Sequence, residues 1–121
     1  MKSIVVSADE VAATDIEVAS GTSMQVLIGQ DTAPGFAMRR FTIKAGGAMP
    51  NHTNTVEHEQ YVLSGSAEVG IGETVHRLQK DDVVFIPAGV PHWYRVTGDD
   101  DYVFLCLVPH RKDTIQLIEN T

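Results

Sequence analysis

The sequence of 121 residues predicts an all-β domain, an antiparallel sandwich or barrel. Three observations carry this. No long helical period appears between Phe36 and Val108. In its place stand short runs rich in β-branched and aromatic residues, broken by turn signals about every ten residues. The length suits one hydrophobic core and is too short for two. Many short strands at even spacing are the pattern of sandwiches and barrels.

Taken in order, Met24–Ile28 reads as the first clear strand, and Phe36–Ile43 follows, ending at Ala45-Gly46-Gly47. Glu59–Leu63 and Ala67–Ile71 flank Ser64-Gly65-Ser66, a turn signal because glycine reaches conformations closed to other residues. Gly72-Glu73 separates Ala67–Ile71 from Thr74–Leu78. Lys80-Asp81-Asp82 and Gly98-Asp99-Asp100-Asp101 are solvated turns that bound Val83–Ile86, Trp93–Val96 and Tyr102–Val108. Between Ile86 and Trp93 the segment Pro87-Ala88-Gly89-Val90-Pro91 forbids a continuous ladder, since proline lacks an N–H. The first fifteen residues and Asp113–Thr121 carry no clean period. A leading strand is expected at one end and a short helix or tail at the other. No linker, repeat or low-complexity segment interrupts the chain, so one domain over 1–121 is expected.

Composition removes several function classes. Apolar residues are 43% and charged residues 21%, a globular balance and not a disordered one. No apolar run reaches the roughly 20 residues of a membrane span. The stretch MKSIVVSADEVAATD offers one lysine and a three-residue apolar run, so no secretory signal is expected. Nine Lys+Arg against sixteen Asp+Glu give −7, which opposes nucleic-acid binding. The single cysteine, Cys106, excludes an intrachain disulfide and suits a reducing, cytoplasmic setting.

The histidines are the chemical signal. Three of the five, His52, His58 and His92, stand beside strand boundaries. His52, Asn54 and His58 share parity, so a continuous extended chain projects them to one face. Neutral imidazole is the commonest metal ligand, and strands fix a geometry that a loop cannot. On parity alone the trio fits metal ligation and satisfied core histidines equally well. His76 and His110 read as surface residues.

The surrounding residues add a resemblance. Gly46–Gly65 reads GGAMPNHTNTVEHEQYVLSG and Asp81–Val96 reads DDVVFIPAGVPHWYRV. These resemble the two motifs of the cupin superfamily, at Gly46, His52 and Gly65 in the first and Pro87, Gly89 and His92 in the second. The resemblance covers about residues 36–108, and His58 and His92 lie 34 positions apart. It implies a double-stranded β-helix (jelly-roll) barrel. The Glu-His-Glu stretch and FLCLVP at Phe104–Pro109 resemble a subgroup of small cupins that bind manganese through four histidines. By that likeness His52, His58 and His92 carry over as metal ligands. Glu59 is the alternative third ligand; the spacing back from Gly65 selects His58. Three positions depart from the pattern. Asn54 stands where a fourth histidine would be, Asp81 replaces a glycine, and Val96 replaces an asparagine. For Asn54 two roles stay open, an amide-oxygen ligand or a hydrogen-bonding partner of metal-bound water.

Parity extends the site. His92, Tyr94 and Val96 fall to one side, as do Tyr102, Phe104, Cys106 and Val108. Facing the metal, Tyr94 serves as a proton donor or shuttle, although a buried tyrosine bonded elsewhere is the preferred reading. Phe104 and Cys106 are then apolar walls and Met49 lines the entrance. Cys106 is no nucleophile, because apolar neighbours raise a thiol pKa. Of the adjacent Arg39 and Arg40 only one can face inward, where it pairs a substrate carboxylate bidentately; a solvated face is preferred for both. Glu57 or Glu59 can hold an imidazole N–H.

The reading that follows is a homodimeric enzyme dependent on a divalent metal, with Mn or Fe favoured over Ni or Zn. It acts on a small, oxygen-rich, anionic molecule, and a dioxygenase-type oxidative cleavage stands first. A non-redox isomerase, epimerase or lyase is the alternative, and a non-catalytic ligand-binding or sensor module the third. An inward arginine beside Glu59 favours the second; an apolar barrel without a general base favours the first.

Overall fold

Alternation of apolar and polar residues over short segments leaves each strand with one face to bury, and the chain buries them by curling one sheet upon itself. The computed structural model describes residues 2–119. Its ten strands are β1 (Thr14–Asp15), β2 (Ser20–Ile28), β3 (Phe36–Thr53), β4 (His58–Ser64), β5 (Ser66–Ile71), β6 (Thr74–Gln79), β7 (Val83–Ile86), β8 (His92–Val96), β9 (Tyr102–Pro109) and β10 (Gln116–Leu117). Every pairing is antiparallel, in the order β6-β5-β8-β3-β9-β4-β7. A 3-10 turn at Ala8–Glu10 is the one helical element among the described residues. None of them forms a helix long and apolar enough to cross a membrane.

The expected strands are present, with two corrections. Ala45-Gly46-Gly47 does not end a strand: β3 runs on through it for 18 residues. Its first part pairs with β9 from Phe36 to Ile43, and its second part pairs with β8 from Ala48 to His52. Gly46 sits at φ 81 at the bend, a conformation that costs other residues about 1–2 kcal/mol. The second correction is the C-terminal segment. It forms no short helix; Gln116 and Leu117 pair with Thr53 and His52 as β10. Residues 120 and 121 lie outside the described residues. At the glycine position of the second motif, Asp81 adopts φ 73, and its carboxylate accepts a 2.9 Å hydrogen bond from the Tyr61 hydroxyl. Aspartate tolerates the left-handed region better than most residues, so the departure preserves the turn.

Inside, Phe104 is held between Phe41 and Tyr94. The ring centroids are 5.2 and 5.3 Å away, at interplanar angles of 5° and 10°. This stack joins the β3/β9 wall to β8, with Ile43, Val62, Val69 and Tyr102 packed around it and almost fully buried. Phe104→Ala is therefore expected to destabilise the fold by about 3–5 kcal/mol in urea titrations. Phe36→Ala, at a residue 53% exposed, should shift it by less than about 1 kcal/mol. Equal effects would show that the stack does not organise the core.

Candidate metal centre

One end of the barrel encloses a cavity of about 140 Å³. His52 is the penultimate residue of β3 and His92 begins β8, and the two are register partners. His58 begins β4 on the opposite wall, opposite Ile86. Asn54 lies in the loop between β3 and β4, where its backbone carbonyl accepts from Gly89 N–H at 2.8 Å. All four line the cavity and all four are buried. The ring centroids of His52 and His92 are 4.2 Å apart, and those of His58 and His92 5.6 Å.

The hydrogen bonds assign the imidazole protons. His52 Nδ1 lies 2.8 Å from the Pro50 carbonyl and His92 Nδ1 3.0 Å from the Val90 carbonyl. Only a protonated nitrogen can bond a carbonyl, so in the neutral ring each Nε2 carries a lone pair. His58 Nδ1 is 3.5 Å from Cys106 Sγ. Burial, reinforced by the Arg39 guanidinium, pushes the His58 pKa down to about 3. Burial lowers His92 to about 4 against the opposing hydrogen bond to Val90. His58 Nε2, His92 Nε2 and Asn54 Oδ1 are buried without a protein partner. The Asn54 amide nitrogen is engaged instead, donating to Asp113 Oδ2 at 2.8 Å.

A polar row crosses the cavity wall below this group. Arg39 on β3, Cys106 on β9 and Gln60 on β4 are register neighbours. Arg39 Nη2 donates to Cys106 Sγ at 3.2 Å, its guanidinium carbon lies 5.1 Å from the Phe41 ring centre, and Nε is buried without a partner. Gln60 Nε2 donates to Tyr94 Oη at 2.7 Å. Burial raises the Tyr94 phenol far above its ordinary value, so it stays protonated and can donate but not act as a base. Burial also raises the Cys106 thiol, which argues against nucleophilic use.

The structure thus gathers His52, His58, His92, Asn54, Tyr94, Met49, Arg39, Phe104 and Cys106 at one cavity. Two expectations change. Arg39 is not solvated but faces inward, because it shares the parity of Phe41 and Ile43. Glu59 does not line the cavity: it lies on the outer face of β4, in register with Phe85 and Leu107. There a hydrogen bond to Glu57, with some burial, holds its carboxyl up at about 7. Gln60 and Asp113 were missed. Parity with His58 reveals Gln60, whereas Asp113 approaches Asn54 from 59 residues away with no local signal.

Residues 39–108, more than half of the chain, match the family described as Cupin domain. The chain belongs to the cupin domain family. Its structure is similar to that of the polyketide cyclase RemF from Streptomyces resistomycificus, with a TM-score of 0.90 and 25% identity, over 99% of this chain and 88% of that one. A cupin 2 domain-containing protein from Halorhodospira halophila is 31% identical, with a TM-score of 0.77, over 88% of this chain and 74% of that one. The chain is also similar to 1-methylthio-D-xylulose 5-phosphate methylsulfurylase of Rhodospirillum rubrum, 29% identical over 93 residues, 77% of this chain. It spans only 59% of that relative's length. The curled all-β sheet agrees with the jelly-roll barrel of the family.

The donor atoms fit a divalent ion in kind: neutral imidazole nitrogens and an amide oxygen, buried and orphaned on one cavity. Among the described residues, no three His, Cys, Asp or Glu side chains form a metal-holding cluster by themselves.

Because His58 and His92 titrate below the ordinary 6.5, the unfolded chain binds protons that the folded chain refuses. Stability then rises with pH below 6.5 and is lost on acidification toward about 4, where His92 itself titrates. Chemical denaturation of chelator-treated protein should show a loss on the order of 1 kcal/mol or more per imidazole across that window. His58→Gln should flatten the profile. A flat wild-type profile would contradict the burial of neutral imidazoles.

Proposed function

We propose that the chain is a divalent-metal-dependent enzyme whose substrate is a small, oxygen-rich, enolisable anion, and that its reaction is a non-redox rearrangement, cyclisation or elimination at a carbonyl. The carrying observation is that Arg39 and the lone pairs of Asn54, His58 and His92 line one largely apolar cavity. His52, His58 and His92, with Asn54, would hold the ion, and manganese or iron remain the favoured choices. A bound divalent ion would supply a Lewis acid that polarises a carbonyl oxygen.

The chain's own residues do the rest. The unpaired Nε of Arg39 offers a charged donor to a carboxylate or enolate oxygen. Tyr94 keeps its proton and can donate a hydrogen bond to a developing oxyanion. Phe41, Phe104, Met24 and Met49 exclude water around the reacting centre, which strengthens these contacts. A cavity of about 140 Å³ admits a single ring or a chain of a few carbons, or the reacting end of something longer. The likeness to a polyketide cyclase supports carbonyl chemistry. Oxidative cleavage, the expectation from sequence, becomes the second reading. It is favoured by the lack of a free general base: Asp113, the one acidic lining residue, has both oxygens occupied by Asn54 and Thr55.

The test is metal analysis of protein purified without added metal, then turnover of small β-keto acids and β-diketones with and without dioxygen. Metal-dependent turnover under nitrogen is expected. Turnover that consumes dioxygen selects oxidative cleavage, and saturable binding without turnover selects a sensor. Arg39→Met should lower kcat/KM by about 10–100-fold with metal content unchanged, the worth of one buried charge-assisted hydrogen bond.

We propose further that two copies pair through the outer face of β7 and β4. β7 ends the strand order, and Val83 and Phe85 are 74% and 58% exposed beside Tyr61. An exposed apolar edge is a template for strand pairing. Light scattering should report a dimer, and Val83→Lys with Phe85→Lys a monomer; a monomeric wild type rules the pairing out.

A further inference from the structure

We propose that Asp113 is a positioning residue that selects which atom of Asn54 faces the metal centre, so that the C-terminal segment completes the donor set. The proposal rests on the metal reading above and extends it to a residue outside both motifs. An asparagine amide has a donor end and an acceptor end, and a backbone fixed by Gly89 N–H does not decide between them. A carboxylate decides, because it only accepts. With Asn54 Nδ2 donating to Asp113 Oδ2 at 2.8 Å, Oδ1 is turned away from the carboxylate and is buried without a partner, in a residue that lines the cavity together with His58 and His92. The reversed amide would set its oxygen against the carboxylate and direct N–H groups toward a cation.

Asp113 is itself held. Its Oδ1 accepts from Thr55 N at 2.9 Å, Thr114 N donates to Thr55 Oγ1 at 2.9 Å, and Ile118 N donates to the Asn51 carbonyl at 2.9 Å. β10 lies in register with Thr53 and His52. The segment carrying Asp113 is thus stitched along the strand and loop that carry His52 and Asn54. The donor atom at position 54 is set by a residue 59 positions later in the chain.

The experiment measures Mn2+ affinity by chelator competition, with the Mn2+ electron paramagnetic resonance spectrum as a second readout. Asp113→Ala should weaken binding about 10–100-fold, as loss of a ligand-orienting partner does. Asn54→Ala should weaken it at least as much, and the double variant no further than Asn54→Ala alone. Phe36→Ala, at an exposed residue that lines no part of this cavity, is the control and should bind Mn2+ within a few-fold of wild type. Should Asp113→Ala unfold the chain, Asp113→Asn takes its place with the same expected order. Full additivity of Asp113→Ala with Asn54→Ala would make Asp113 merely structural and overturn the proposal. A wild type that binds none of Mn2+, Fe2+, Ni2+ or Zn2+ overturns the metal reading itself, a distinct result.

Discussion

A barrel made of one curled sheet must have a strand that belongs to both walls, and here that strand is β3. Its first half hydrogen-bonds to β9 and its second half to β8, with the change of partner at the Gly46 bend. Period-two alternation has to deliver inward side chains on both sides of the bend. It does so with Arg39, Phe41 and Ile43 before it and Met49 and His52 after it. A register shift between Met49 and His52 brings the histidine level with His92. The floor and the ligand side of the cavity therefore come from one continuous segment, and their separation is fixed by covalent geometry.

Along the barrel axis the inward rows change character in order. Ile43 faces Tyr102, Phe41 faces Phe104 and Val62, and Arg39 faces Cys106 and Gln60. The apolar rows supply the burial that stabilises the fold, and the stacked rings of Phe41, Phe104 and Tyr94 tie the two walls together. That stability carries a cost at the open end. Each buried acceptor left without a donor costs about 1–3 kcal/mol, and Asn54 Oδ1, His58 Nε2 and His92 Nε2 are three such atoms on one cavity. A core selected for stability alone would replace them with leucine or phenylalanine. Their grouping beside a half-buried guanidinium is what the reading of this end as a ligand site rests on.

Much of this was legible in the residues. The motif positions and the even spacing of turns located the strands, and parity placed Tyr94, Phe104 and Cys106 on the inner face, as the structure has them. The failures have specific causes. Ala45-Gly46-Gly47 reads as the end of a strand because glycine punctuates regular structure, yet the same freedom lets a long strand bend and continue. Arg39 was assigned to solvent on the habits of arginine, although Phe41 and Ile43 already fixed its parity inward. Glu59 was kept open as a ligand although it shares parity with exposed Tyr61 and not with His58. Asp113 was invisible to local pattern because its partner is set by the docking of the C-terminal segment.

The departures from the family pattern show how a motif tolerates substitution. At position 81 the missing glycine removed conformational freedom, and aspartate restores the turn because it accepts a left-handed backbone and gains a bond from Tyr61. At position 54, where the resemblance implies an imidazole, stands an amide whose donor and acceptor ends are nearly the same shape, so a neighbour has to distinguish them. The carboxylate of Asp113 supplies the distinction by accepting and never donating. In both places the replacement works through a contact made elsewhere in the fold. A substituted motif residue is thus best judged by whether the structure holds a partner that restores what the lost side chain did.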